Sequence, residues 1–269
     1  MRLETIKLEN SNSATLTLYL HNIYEQQADK QPRPAVLITP GGGYEFVSER
    51  EAEPVAIAYY NAGYQVAILR YSVKEEARNM QPMIEAMTSI RMLRDNAEEW
   101  RIDPDMIAVC GFSAGGHLAA STGTMWNEPA LKDKLGGPME QYRPNALILS
   151  YPVISSGEFA HRGSFYNLTG SREDDAATAF FSLEHRVNAE TPQTFIWFTE
   201  EDGAVPVENG LLFISALRKH KVSFECHIFN KGQHGLSLCN EEVNTPNPHA
   251  AHWFMLSVEW LRSIGFIAK

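Results

Sequence analysis

Apolar positions in this chain follow two rhythms that take turns along its length. Ala35-Val36-Leu37-Ile38-Thr39 is an unbroken apolar run of strand length, the pattern of a strand buried on both faces. Tyr64 to Leu69, Met106 to Cys110, Ala146 to Leu149 and Thr194 to Phe198 read as further strands of this kind, and Phe224 to Phe229, with Glu225 and His227 in it, as a last strand. Between these runs the apolar spacing lengthens to three and four residues. Gln81 to Trp100 carries Met83, Ile84, Met87, Ile90, Met92 and Leu93, which predicts one long amphipathic helix. Pro54 to Asn61, with Gly63 placed to cap its C-terminus, predicts another helix. Further helices are expected over His117 to Thr122, Pro206 to His220 and Trp253 to Ile264. Ahead of all of these, Thr5 to Glu9 and Ala14 to Leu20 read as strands joined by the polar turn Asn10-Ser11-Asn12-Ser13, a hairpin at a sheet edge.

Strands alternating with helices predict an α/β fold with a mostly parallel, doubly wound sheet, preceded by an N-terminal antiparallel hairpin. Ser155 to Asn188 keeps neither rhythm, yet it carries Phe159, Phe165, Tyr166, Phe180 and Phe181. Linkers seldom hold so many large apolar side chains, so this stretch is expected to be a small cap over one end of the sheet. The expected organisation is one domain over residues 1–269 with a cap insertion at about 155–188.

Composition narrows the partners rather than the fold. The 23 Lys and Arg stand against 33 Asp and Glu, a formal charge of −10, so nucleic acid and anionic membrane surfaces are disfavoured. No apolar run approaches ~20 residues and Met1 to Asn10 does not read as a signal peptide, so a soluble cytoplasmic protein is expected. On that expectation the sequon Asn167-Leu168-Thr169 is accidental. Cys110, Cys226 and Cys239 lack metal-ligand spacing and read as buried free thiols.

Chemistry concentrates where strands end. Gly111-Phe112-Ser113-Ala114-Gly115-Gly116-His117 lies between an apolar strand and a helical run, the setting of a nucleophile elbow with Ser113 at its apex. After the strand ending at Phe198 come Glu200, Glu201 and Asp202; Asp202, the short carboxylate just ahead of a helix, can be held by backbone N–H groups and aimed at an imidazole. After the last strand comes Gly232-Gln233-His234-Gly235, and of nine histidines only His234 sits past a strand between glycines. A second set of donors is available for a developing oxyanion: the N–H of Ala114, and the N–H of Gly42 or Gly43 in the Gly-rich loop that follows the first buried strand. That loop lacks the Lys-Ser/Thr of a phosphate-binding loop. Tyr44 and Tyr151 lie at strand ends where pocket walls form, and Glu45 beside them is expected to contact substrate hydroxyls. His117 lies one turn along the elbow helix, where a side chain points along the flank rather than over Ser113. His249 and His252 share an i, i+3 spacing without a third ligand and read as a packed helix face. Arg70 and Tyr71, just past a strand, read either as neighbours of the site or, for Arg70, as a salt-bridged support of the fold.

With these residues in place the chain resembles the α/β-hydrolase superfamily, and within it the small bacterial esterases grouped with hormone-sensitive-lipase-like and acetyl-xylan-esterase-like proteins. The resemblance runs from Ala35 to Ile264 and rests on Pro40-Gly41-Gly42-Gly43-Tyr44, Leu69-Arg70-Tyr71, the Ser113 motif, Asp202 to Pro206 and Gly232 to Gly235. It implies the α/β-hydrolase fold, with Ser113 as nucleophile, His234 as general acid and base, and Asp202 as its orienter. Pro40 replaces the His of the lipase-like His-Gly-Gly-Gly and fits the acetyl-xylan-esterase-like branch better. The implied activity is hydrolysis of short acyl esters, acetyl foremost, from a small molecule such as an acetylated carbohydrate, with no metal and no cofactor. A serine peptidase or amidase on the same fold, and a binding module that has lost the chemistry, are the competing readings. Because His234 must be neutral to act as base, activity is expected to fall below about pH 6.5. The motifs specify neither the alcohol nor an oligomeric state.

Overall fold

The computed structural model describes residues 1–22, 31–173 and 175–267. Its eight strands are β1 (Arg2–Lys7), β2 (Thr15–Leu20), β3 (Arg33–Thr39), β4 (Gln65–Arg70), β5 (Ile102–Phe112), β6 (Ala146–Ser150), β7 (Gln193–Thr199) and β8 (Phe224–Phe229). They form one sheet in the order β1-β2-β4-β3-β5-β6-β7-β8. β1 pairs antiparallel with β2, and β2 antiparallel with β4; every pairing from β4 to β8 is parallel. The expected hairpin is therefore present at one edge, but its first strand is Arg2–Lys7 rather than Thr5 to Glu9, with Leu3 opposite Tyr19 and Thr5 opposite Thr17.

The continuous apolar runs have the reason anticipated for them. Along a strand, side chains point to opposite faces in turn. Leu37, Val109, Leu147 and Ile196 face one layer, while Val36, Ile38, Ala108, Cys110, Ile148 and Trp197 face the other. Helices cover both faces. They are α1 (Glu53–Asn61), α2 (Gln81–Asp95), α3 (Ala97–Trp100), α4 (Ala114–Thr124), α5 (Pro129–Leu135), α6 (Arg162–Thr169), α7 (Ala176–Ala179), α8 (Glu208–Lys219) and α9 (His252–Ser263). Met83, Met87 and Ile90 of α2, Leu118 of α4 and Phe213 of α8 pack on the first face. Val55 and Tyr59 of α1 pack on the second, with Trp253, Val258 and Leu261 of α9. Among the described residues, no helix is long and apolar enough to cross a membrane.

Two local expectations need correction. Gln81 to Trp100 is not one helix: Asn96 interrupts it, its side-chain N–H donating to the Met92 carbonyl at 2.8 Å, and α3 ends at Arg101 in the left-handed region. Asp103-Pro104-Asp105 is not a turn ahead of the elbow strand but a bulge within β5. The register jumps there, from Arg33 opposite Ile102 to Ala35 opposite Ile107. Cys110 and Cys239 are buried free thiols as expected, whereas Cys226 is half-buried.

Residues 155–188 hold α6, α7 and a single 3₁₀ turn at Leu183–His185. Phe165, Leu168, Phe181 and Leu183 from this stretch are buried in the same layer as α2 and α4. The carboxyl ends of β3, β5, β6, β7 and β8 are where every candidate residue of the sequence collects, as expected for an open α/β sheet.

The meeting of β3 and α4 is close enough to leave no room for a side chain. A Cβ placed on Gly115 would lie 2.1 Å from the Thr39 carbonyl oxygen and 2.2 Å from that of Pro40. Gly115→Ala must therefore push the elbow helix off the sheet. A loss of about 3 kcal/mol or more in urea-induced unfolding, or failure to accumulate folded protein, is expected; an unchanged unfolding midpoint would show that the approach is looser than described.

Candidate active site

Ser113 follows β5 directly and begins the turn into α4, at φ 53° and ψ −121°. A residue with a Cβ in this region stores on the order of 1–3 kcal/mol of strain and stays there only if its surroundings insist. They do so through the backbone. The Ser113 N–H donates to the Ser150 carbonyl at 3.0 Å, and its own carbonyl accepts from the Val153 and His117 N–H groups at 3.0 and 3.1 Å. Thr39 Oγ1 donates to the Gly115 carbonyl at 2.9 Å, pinning the first turn of the helix to β3. Ser113 is only 7 % exposed.

Two further strand ends bring polar groups to the serine. His234 Nε2 lies 2.7 Å from Ser113 Oγ, and its Nδ1 lies 2.6 Å from Asp202 Oδ2. The second carboxylate oxygen, Oδ1, accepts from the Ala204 and Val205 N–H groups at 3.0 and 2.9 Å, the backbone grip anticipated for an acid ahead of a helix. With the buried carboxylate accepting from Nδ1–H, Nε2 is left as an acceptor facing the serine hydroxyl. The neighbouring acids are used otherwise: Glu201 pairs with Lys231 and accepts from the Gly232 N–H, and Glu200 is exposed. Thr199 Oγ1 holds the Gly232 carbonyl at 2.8 Å, so the histidine loop is tied to the end of β7.

The Gly-rich loop after β3 passes beside the serine, with Gly42 at φ 122° and Gly43 at φ 66°. Among the described residues the Gly42, Gly43 and Ala114 N–H groups have no acceptor, whereas the Gly41 N–H donates to Glu51 Oε2 at 2.9 Å. Glu51 was not singled out from sequence. It is 2 % exposed, and its other oxygen accepts from the Tyr151 hydroxyl at 2.7 Å. Tyr151 in turn accepts from the Ser237 N–H at 2.8 Å and stands edge-on to His234, ring centroids 5.1 Å apart. Burial, with the Glu51 charge adding to it, holds the Tyr151 hydroxyl well above its ordinary pKa, so it remains a donor.

The two tyrosines expected to wall the pocket are thereby corrected. Tyr151 is buried under the site, supporting it from within. Tyr44 is also buried, its hydroxyl donating to His117 Nδ1 at 2.9 Å. A position at a strand end places a residue near the site without deciding which way its side chain turns. Glu45, by contrast, is exposed and lines a cleft of about 630 Å³ together with Gly42, Gly43, Phe46, Ser113 and His234. That cleft has a further wall that sequence reasoning missed, His161, which caps α6 by accepting from the Ser164 N–H.

Among the remaining candidates, His117 is a strut, as its place on the helix flank implied. Its Nε2–H donates to the Phe181 carbonyl at 2.9 Å, and burial lowers its pKa to about 4. Arg70 is paired with Glu49 at 2.6 Å. Tyr71 donates to the Pro40 carbonyl at 2.6 Å, another tie on the Gly-rich loop. His249 and His252 lie at the start of α9, where His252 Nδ1 contacts the His249 carbonyl at 3.0 Å.

Comparison with known proteins matches the family model described as BD-FAE to residues 21–217. Endo-1,4-beta-xylanase B of Butyrivibrio fibrisolvens is 37% identical over 235 residues, which cover 84% of this chain and 35% of that protein. The acetylxylan esterase of Xylanibacter ruminicola is 32% identical over 207 residues, covering 75% of this chain and 40% of that protein. The chain thus spans well under half the length of these two relatives. Among solved structures, an acetyl ester-xyloside bifunctional hydrolase from Caldicellulosiruptor lactoaceticus has a TM-score of 0.84 and 38% identity, over 94% of this chain and 89% of that one.

Two stability measurements probe the scaffold. Glu51→Ala would leave the Gly41 N–H and the Tyr151 hydroxyl without an acceptor. At about 1–3 kcal/mol for each orphaned donor, a loss of roughly 2–5 kcal/mol in urea unfolding is expected, with Glu51→Gln recovering part of it. The second concerns His117. Because the folded ring titrates near 4 rather than at the ordinary 6.5, the unfolded chain takes up a proton in that interval which the fold excludes. The stability held by the neutral ring is complete above pH 6.5 and is lost as the pH falls to about 4, on the order of 3 kcal/mol in total. Unfolding curves at pH 7.0 and 4.5 should show a smaller pH dependence for His117→Asn than for the parent; equal slopes would mean that the ring is protonated in the folded state.

Proposed function

This chain belongs to the BD-FAE family, among the α/β-hydrolase carboxylesterases, and from that membership we propose that it hydrolyses short-chain acyl esters, with acetyl groups on xylose-containing sugars as the substrate class. The observation that carries the reading is the unbroken run of hydrogen bonds from Ser113 Oγ through His234 to Asp202, at 2.7 and 2.6 Å. The sugar class is supported by what the relatives are called, an acetylxylan esterase and an acetyl ester-xyloside hydrolase.

In this reading Ser113 Oγ attacks the ester carbonyl as its proton passes to His234 Nε2. Asp202 keeps the ring in the required tautomer and stabilises the imidazolium that forms, while its own charge is held by the Ala204 and Val205 N–H groups. The carbonyl oxygen becomes an oxyanion beside the Gly42 and Ala114 N–H groups, with Gly43 shaping the same loop. Donors already in place when the charge develops contribute a factor of about 10²–10³ each. The C–O bond then breaks, and His234 returns its proton to the departing alcohol. A water molecule follows the reverse course: His234 takes its proton, the hydroxide adds to the acyl carbonyl, and the acid is released as Ser113 regains a proton.

Ser113→Ala is expected to reduce turnover of p-nitrophenyl acetate by about 10⁴-fold or more with the circular dichroism spectrum unchanged. Asp202→Asn, which offers the wrong partner to Nδ1, is expected to lose a comparable factor. Activity retained within tenfold in folded Ser113→Ala protein would sink the assignment. A panel of acetylated xylo-oligosaccharides against p-nitrophenyl esters of increasing chain length tests the substrate class, and a preference for long acyl chains would overturn it.

A further inference from the structure

We infer that His161 selects a hydroxylated alcohol in the substrate by donating its Nε2–H to an oxygen of the sugar ring or its hydroxyls. This rests on the ester-hydrolase reading above and adds a determinant for the alcohol side. His161 stands on the cap, outside the Ser113–His234–Asp202 chain, and its ring lines the same cleft as Ser113 and His234. The Gly-rich loop is its neighbour in the lining: a Cβ on Gly43 would meet His161 Cε1 at 3.7 Å, ordinary contact distance.

The ring is held in one orientation and one tautomer. Nδ1 lies 2.8 Å from Ser164 Oγ and accepts from the Ser164 N–H at 3.3 Å. A nitrogen accepting from a backbone N–H carries no proton of its own, so the proton of the neutral ring is on Nε2. Among the described residues Nε2 has no partner. Burial lowers the pKa of the ring and the nearby His234 lowers it further, outweighing the Asp202 carboxylate that favours the charged form, so the ring is a neutral donor at neutral pH.

A donor fixed in this way suits only part of an ester. The carbonyl oxygen has the Gly42 and Ala114 N–H groups, and an acetyl methyl offers no acceptor. The alcohol side remains. A sugar supplies ring and hydroxyl oxygens there, whereas a hydrocarbon alcohol would cover the N–H without an acceptor. Leaving a built donor unpaired is how a site rejects the analogue that lacks the oxygen.

The test compares kcat/KM for a monoacetylated methyl β-xyloside with that for cyclohexyl acetate, whose six-membered ring has no oxygen beyond the ester. Two variants separate the N–H from other roles of the residue. His161→Ser keeps an N-cap acceptor for α6, and His161→Phe keeps a ring without a donor. The sugar-to-cyclohexyl ratio is expected to exceed one in the parent and to fall about tenfold in both variants, with melting temperatures close to the parent's. An unchanged ratio, including one in which both activities fall together, overturns the assignment, as does a ratio lowered in only one variant, which would track ring volume or capping instead. A parent enzyme that cleaves p-nitrophenyl acetate but shows no sugar preference overturns this inference alone. A parent that cleaves no ester sinks the hydrolase reading and the inference with it.

Discussion

A buried carboxylate, with no ion pair among the described residues, holds the site together. Glu51 divides its two oxygens between the Gly41 N–H and the Tyr151 hydroxyl, and Tyr151 passes the connection on to the Ser237 N–H. The loop after β3, the turn after β6 and the loop after β8 thus share one polar anchor beneath the serine. Burying such a charge is costly unless it is hydrogen-bonded, and here each bond that offsets the cost also positions a loop. Because the three loops share the anchor, displacement of any one leaves a donor or acceptor unpaired in the others. The floor of the cleft is therefore stiffened by a hydrogen-bond network, with the two apolar layers of the sheet supporting it from farther away.

That network bears on the backbone strain gathered around it. Ser113 (φ 53°), Tyr44 (φ 55°), Tyr151 (φ 37°) and Ser237 (φ 51°) all carry a Cβ at positive φ. Each position is intrinsically unfavourable, and their clustering at the carboxyl ends of the strands means that the cost falls on one region. The compensating bonds are local: Ser113 N–H to Ser150, Tyr151 N–H to Trp197, and the Trp253 indole to the Ser237 carbonyl. The chemistry proposed for Ser113 thus depends on turns that would relax in isolation.

What could be read from the sequence follows from how local each signal is. Buried parallel strands announce themselves as apolar runs, which is why β3 to β7 are legible within a few residues, whereas β8, at the sheet edge with Glu225 and His227 in it, is half-buried and shows a weaker pattern. Ser113, Asp202 and His234 were legible because an elbow motif fixes the first and chain order at successive strand ends points to the others. Asp202 stood out from Glu200 and Glu201 by its short side chain ahead of a helix, and the structure gives Glu201 to Lys231 instead. Glu51 and His161 carried no such mark. The burial of Glu51 is decided by a hydroxyl 100 residues away, and His161 belongs to a stretch whose helices, α6 and α7, are too short to display a period. Tyr44 and Tyr151 failed in the opposite way. Their position along the chain was informative, but the direction of the side chain was set by His117 and Glu51, which no local pattern reveals.

Residues 155–188 are moored to the rest of the molecule in part through main-chain groups. His117, on α4, reaches out with a side chain, but what it grips in residues 155–188 is the carbonyl of Phe181, and the Leu183 N–H donates to the Ile154 carbonyl. Main-chain groups are present whatever residue occupies a position. Side chains of this stretch that face the cleft, His161 among them, can therefore be exchanged while these bonds stay in place, so that the proposed preference for the alcohol can change without touching Ser113, His234 or Asp202.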